Sequence, residues 1–251
     1  MSFPRLSVPM GWPALMGWSA WKCWCRAGLL SFAVLPWAAA AAATAFENTI
    51  AQRVMACAAC HGKEGRAGPD GYYPRLAGKP AGYLVQQMLA FRDGRRHYGV
   101  MARLLEPLSD AYLMEIAQYY AGLDLPYPAP RGARVAPVTL QRGRQLATLG
   151  DATRGLPACA QCHSAALTGA TPGTPGLLGL PQDYLNAQLG AWRNGQRRAQ
   201  APDCMAQVAR QLEPDDLVAI TAWLASQPVP ANAKPGPPLP PVTGLACGSA
   251  P

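Results

Sequence analysis

Cys57-Ala58-Ala59-Cys60-His61 and Cys159-Ala160-Gln161-Cys162-His163 decide how this chain is read, because one five-residue pattern stands twice, about one hundred residues apart. On a helical turn, positions i, i+3 and i+4 project from one face. Two thiols so spaced can add to the two vinyl groups of a haem while the adjacent imidazole reaches the iron from the same side, and this is the spacing of c-type haem attachment. Composition alone predicts about 0.003 chance matches, yet two of the three histidines in the chain fill the fifth position. Redox disulfides and a four-cysteine zinc site also use paired Cys-x-x-Cys motifs. Neither requires histidine directly after both pairs. The expectation is two covalently bound haem c groups, on Cys57 and Cys60 and on Cys159 and Cys162, with His61 and His163 as iron ligands.

The repetition extends outward from the motifs. Tyr83-Leu84, Gln87, Phe91-Arg92-Asp93-Gly94 and Arg96 return as Tyr184-Leu185, Gln188, Trp192-Arg193-Asn194-Gly195 and Arg197. Leu113, Ile116 and Tyr119 return as Leu217, Ile220 and Trp223. A period of this length implies two tandem domains. Between them, Gly122 to Pro137 carries Pro126, Pro128, Pro130 and Pro137 without apolar period and reads as a connector. After Gln227 the chain is again proline-rich and expected to be extended. The expected division is a first domain over 46–123, a linker over 124–137, a second domain over 138–228 and a tail over 229–251.

Each half has helical rather than alternating periodicity. Ile50, Val54 and Cys57 share a face of a helix entering the first motif, and Thr139 is placed to cap the equivalent helix in the second half. Pro80 and Pro181 stand in the first turns of helices with apolar faces Leu84, Met88, Phe91 and Leu185, Leu189, Trp192, stopped by Gly94 and Gly195. Ser109 and Pro214 open the last helices, whose Leu113, Ile116, Tyr120 and Leu217, Ile220, Leu224 face inward. The fold class is all-α, two small tandem bundles. Domains of this size bury too little apolar surface by themselves, and a planar apolar haem would complete each core.

Residues 1–45 contain Arg5, Lys22 and Arg26 and no acidic residue, then an apolar run from Ala27 ending in Ala43-Thr44-Ala45. This is a cleavable secretory signal, and export places the protein in the periplasm; an uncleaved membrane anchor is the alternative, since the run approaches spanning length. Its removal takes away three basic residues and no acidic one, leaving +5 of the formal +8. The basic residues are scattered, which excludes a nucleic-acid surface but leaves room for docking an acidic redox partner. Peripheral contact with a membrane is compatible with this charge.

The residue opposite each histidine decides between electron transfer and small-molecule chemistry, and methionine there closes the iron and raises its potential. After His163 there is no other histidine and one methionine, Met205. The first half offers Met88, His97, Met101 and Met114. Met88 aligns with Leu189 and Met114 with Val218, so both read as core residues. Met101 stands 40 residues after His61, as Met205 stands 42 after His163; it is the expected ligand, with His97 as runner-up.

The doubled Cys-x-x-Cys-His, the Leu-x-Gly, the Tyr-Leu, the aromatic-Arg-x-Gly turn, the lone methionine and the closing helix resemble the tandem dihaem c-type cytochromes of the cytochrome c4 kind, over residues 47 to 227. The resemblance implies two class I cytochrome c domains with His/Met-ligated haems. It also implies periplasmic electron transfer from a quinol-oxidising complex or a dehydrogenase to a terminal oxidase. Tyr83, Arg92, Tyr184 and Arg193 would contact propionates or the domain interface. Departing from the pattern, Cys204 adjoins Met205 and Cys247 lies in the tail; in an exported protein they are expected to form a disulfide, the alternatives for Cys204 being a competing ligand or a buried thiol.

Three function classes follow: an electron carrier or cytochrome subunit of a dehydrogenase, a haem peroxidase, and a zinc-stabilised module. A peroxidase needs an open iron and an acid/base pair, and neither half pairs a histidine with a carboxylate at recognisable spacing. A non-enzymatic electron carrier is expected.

Overall fold

Short polar side chains and prolines set where the helices begin. Thr49 Oγ1 accepts from the Gln52 amide, Ser109 Oγ from the Tyr112 amide and Asp203 Oδ1 from the Ala206 amide, while Pro137 and Pro214 occupy first-turn positions. The computed structural model describes residues 47–68, 71–130 and 132–249. The expected export signal, with Cys23 and Cys25, lies outside the described residues.

The helices run α1 (Ile50–Arg53), α2 (Met55–His61), α3 (Ala81–Arg92), α4 (Gly99–Leu105), α5 (Asp110–Gly122), α6 (Pro137–Thr148), α7 (Cys159–His163), α8 (Gln182–Arg193), α9 (Cys204–Gln211) and α10 (Pro214–Ser226). A two-residue hairpin, β1 (Gly169–Ala170) against β2 (Thr174–Pro175), follows α7. The order is duplicated: α1 and α2 match α6 and α7, α3 matches α8, α4 matches α9, and α5 matches α10. The fold class is all-α, as expected.

Four local expectations are corrected. Thr139 does not cap α6, because Pro137 is its first residue and Ala136 stands at the N-cap; proline, with no amide to satisfy, starts the helix three residues earlier. Ile50, Val54 and Cys57 do not share one helix, since Val54 breaks it into α1 and α2. Pro80 and Pro181 sit just before α3 and α8, with extended ψ of 137° and 145°. Met114 and Val218 are exposed, at 41% and 43%. The inward stripe runs through their neighbours Leu113 and Ala219, so these two lie on the solvent face.

The second half has the larger core, built around Leu146, Leu156, Leu167, Leu185, Ile220 and Leu224. The first is smaller and centres on Val54, Leu84, Ile116 and Tyr120. A charged network braces the second half: Arg142 and Arg154 each bridge Asp151 and the nearly buried Asp216 at the start of α10. Burial works to raise the carboxyl of Asp216, but Arg154 and Arg142 outweigh it and hold it below its ordinary range. The tail is extended and tied down. A disulfide joins Cys204 to Cys247, Gly236 exchanges backbone hydrogen bonds with Gly169 and Thr171, and Ser249 accepts from Gln86 of the first half at 3.2 Å.

The halves meet in an antiparallel bridge between Arg96 and Arg197. The His97 amide donates to the Gln196 carbonyl and the Arg198 amide to the Arg95 carbonyl. Arg96 donates to Gln87 in its own half and to Gln188 (2.7 Å) and Tyr184 in the other. Arg197 mirrors it, donating to Gln188 in its own half and to Gln87 (2.8 Å) and Tyr83 across the boundary.

Where α6 crosses α10, a methyl group on Gly143 would fall 2.0 Å from the Ala219 carbonyl oxygen. Gly143→Ala is expected to cost about 2 to 3 kcal/mol in denaturant unfolding. Gly190→Ala, in α8 where nothing lies within 4 Å of the added carbon, should be neutral or stabilise by up to about 1 kcal/mol. Asp216→Asn should cost about 1 to 2 kcal/mol by loosening both arginines, and exposed Asp215→Asn on the same turn close to nothing.

Candidate haem-binding sites

The one-turn spacing read from the sequence is realised on two helices. Cys57, Cys60 and His61 lie on α2, and Cys159, Cys162 and His163 make up most of α7. The chain turns sharply after each histidine, with Gly62 at φ 73° and Ser164 at φ 70°. The turn is tight: a methyl group on Gly62 would sit 2.6 Å from the Ala67 carbonyl oxygen. It sends the following loop back over the histidine.

That loop fixes the ring. His61 Nδ1 lies 2.9 Å from the Pro74 carbonyl oxygen, and His163 Nδ1 lies 2.7 Å from that of Pro175. A carbonyl can only accept, so Nδ1 carries the proton and Nε2 presents a lone pair. Both rings are buried, at 8% and 7% exposure. Burial depresses both imidazoles below their ordinary range, against the opposing effect of the carbonyl bond. Arg96 adds to the depression at His61, and Lys79 at His163. They are neutral at neutral pH, the form that ligates metal.

The four motif cysteines are unpaired and half-buried. Burial raises the thiols of Cys57 and Cys162 and pushes that of Cys159 up to about 11, so these three are protonated at neutral pH. Among the described residues no three His, Cys, Asp or Glu side chains converge as a metal cage, and the two pairs do not form one four-cysteine site. The donor set fits haem: in each half two thiols one helical turn apart, and a neutral imidazole with one free nitrogen.

Met101 is on α4 and Met205 on α9, equivalent helices of the repeat, and both are half-buried. Asp203 holds the entry to α9 by accepting from the Ala199 and Ala206 amides, and the disulfide at Cys204 anchors the same turn. His97, the runner-up, is exposed, with Nε2 at 2.9 Å from the Gly94 carbonyl oxygen. Tyr83 and Tyr184 reach the boundary between the halves. Arg92 and Arg193 do not; they donate to the Leu108 and Leu212 carbonyls ahead of the last helix of each half.

Sequence reasoning missed the two carbonyls that hold the imidazoles, although the signal was present. Pro74 and Pro175 each stand two residues before Leu-x-Gly, in Pro74-Arg75-Leu76-Ala77-Gly78 and Pro175-Gly176-Leu177-Leu178-Gly179. It also missed the role of Arg96 and Arg197, which it had aligned. No helix among the described residues is long and apolar enough to cross a membrane.

Comparison with known proteins agrees with this chemistry. Residues 140–228 match the cytochrome c family. A thiosulfate dehydrogenase electron acceptor from Thiomonas intermedia is 39% identical, over 69% of this chain and 79% of its own. Cytochrome c4 of Pseudomonas aeruginosa is 34% identical, over 68% and 84%. Among solved structures, reduced cytochrome c4 from Pseudomonas stutzeri superposes with a TM-score of 0.62 at 29% identity, covering 70% of this chain and 96% of its own. A thiosulfate dehydrogenase from Marichromatium purpuratum gives the same TM-score at 36% identity; the chain spans 36% of that structure's length. The chain belongs to the cytochrome c4 family, electron carriers with covalently attached haem c.

Proposed function

We propose that this protein is a periplasmic dihaem cytochrome c that takes single electrons from a dehydrogenase and passes them to a terminal acceptor such as an oxidase. Cys57 and Cys60 would attach the first haem, with His61 and Met101 as its iron ligands. Cys159 and Cys162 would attach the second, with His163 and Met205. Bound there, haem supplies a one-electron Fe(III)/Fe(II) couple.

The observation that carries this reading is the repeated bond from a histidine Nδ1 to a proline carbonyl. It fixes which nitrogen is free, aims it, and makes the imidazole a stronger donor. The four motif cysteines would tether the haem, so that each imidazole need not compete with water for it. Methionine opposite would close the iron, favouring electron transfer over ligand binding. A peroxidase reading lacks support, because the remaining histidine, His97, is exposed and bonded to Gly94.

The thiosulfate dehydrogenase electron acceptor among the relatives favours a dehydrogenase over a quinol-oxidising complex as donor. Export rests on the signal-like residues 1–45, and the scattered positive charge suits an acidic partner or peripheral contact with a membrane.

Two measurements test this. A pyridine haemochrome assay of the matured protein should give two haem c per chain, resistant to acidified acetone; colourless protein overturns the reading. Met205→Ala should bind carbon monoxide in the reduced state at half the haem content, whereas the reduced wild type binds none. Equal carbon monoxide binding by the two proteins removes Met205 from the ligand set.

A further inference from the structure

Lys79 carries a charge from one half into the other and receives none in return. It belongs to the first half and is 5% exposed, yet its Nζ donates to the carbonyl of Gly176 in the second half at 2.9 Å. Gly176 follows Pro175, the residue whose carbonyl holds His163 Nδ1. The reciprocal contact does not exist. The repeat places Leu180, a buried apolar residue, where Lys79 stands, and Arg75 where Gly176 stands. Arg75 turns away from its own histidine loop, donating to the Ala77, Leu125 and Pro126 carbonyls and stacking on Tyr127 at 3.8 Å.

A buried ammonium on a single neutral acceptor is costly. Among the described ion pairs none involves Lys79. The charged or titratable groups that act on it or feel it are Arg75, beside it in the first half, and the ring of His163 on α7. Leucine would fill the site without that cost, as Leu180 does in the other half.

We infer that Lys79 is an electrostatic tuning residue for the second haem: a positive charge, supplied by the first half, that favours the reduced state of the iron held through His163. The inference rests on the two-haem reading above. Reduction adds one electron from the donor and lowers the charge at the iron by one, so it is helped by a cation held nearby in a dry environment. Linkage makes the effect reciprocal. Burial first, and Arg75 second, bring the ammonium down to about 8, and the reduced haem would stabilise it again. Between the pKa values of the oxidised and reduced states, each electron arriving at the second haem is accompanied by one proton taken from solvent onto the Lys79 amine. Reoxidation releases both. The first haem lacks this partner.

The test is a spectroelectrochemical titration of the full holoprotein from pH 6 to 10, with the two components assigned beforehand by Met101→Ala and Met205→Ala. At pH 7, Lys79→Gln should shift the reduction equilibrium of the second haem toward the oxidised form by on the order of tenfold and leave the first unmoved. Lys79→Arg should keep the wild-type value at pH 7 and flatten the alkaline fall. In the unsubstituted protein the second component alone should fall as pH rises through the ammonium's titration, a readout that needs no variant to fold. The inference is overturned by a pH-invariant second component, by equal shifts of both components in Lys79→Gln, or by Lys79→Arg behaving as Lys79→Gln. A haemochrome count of one per chain on the same samples would instead overturn the two-haem reading, and the inference with it.

Discussion

A buried neutral imidazole with Nδ1 committed to a carbonyl has one nitrogen left to offer, and most of this structure serves to keep that nitrogen in place. The carbonyl is positioned from several directions. In the first half, the Leu76 and Ala77 amides after Pro74 both donate to Gly65, and the Gly78 amide donates to Tyr120 in α5. In the second, the Leu177 amide after Pro175 donates to Leu167. In the first half the histidine is thereby referred back to α5, the last helix of its domain. The loop needs the left-handed turn at Gly62 or Ser164 to begin its return, so a backbone conformation directly after the motif is as much a part of the site as the imidazole.

The two halves reach this arrangement with different support. In the second, α6 is a full helix lying against α10 across Gly143, and the Arg142, Arg154 and Asp216 network locks α10 to the segment entering the motif. In the first, α1 has one turn and Val54 supplies the equivalent packing against Tyr120. The tail adds a further difference. It leaves α10, pairs with Gly169 and Thr171, and returns through the disulfide to the turn that carries Met205, so the proposed second ligand is held by covalent structure and the first by packing alone.

The sequence made the class of the fold and the chemistry of the motifs legible because both are local. Helix spacing places Cys57, Cys60 and His61 on one face without reference to anything distant, and the repeat doubles the signal. It did not locate α4 and α9, the helices that carry Met101 and Met205; it placed those residues only by their distance from the histidines. It failed where two signals competed within a few residues. Thr139 has the right side chain for a cap, but Pro137 starts α6 earlier; Met114 is apolar, but the stripe through Leu113 and Ile116 leaves it on the exposed face. The cations that cross between the halves were out of reach for a different reason. Arg96, Arg197 and Lys79 act through partners some ninety residues or more away, and nothing in their own neighbourhood distinguishes them from solvated cations.

What holds the halves in register is correspondingly unlike a hydrophobic interface. Arg96 and Arg197 are like charges that approach one another across the boundary, and Arg197 is 4% exposed. Each meets glutamine and tyrosine oxygens rather than a carboxylate, and each lies against an aromatic ring, Phe91 or Trp192. Neutral acceptors return less of a guanidinium's lost hydration than a carboxylate does, so the net stabilisation is small. The geometry, by contrast, is demanding. Gln87 and Gln188 each accept from both arginines, and Tyr83 and Tyr184 each accept from the arginine of the other half. A small sliding of one half would strand both guanidiniums at once, that of Arg197 in a buried site. The boundary is therefore fixed by the penalty for misalignment more than by the gain from contact, which suits a protein whose proposed work depends on the spacing between two prosthetic groups.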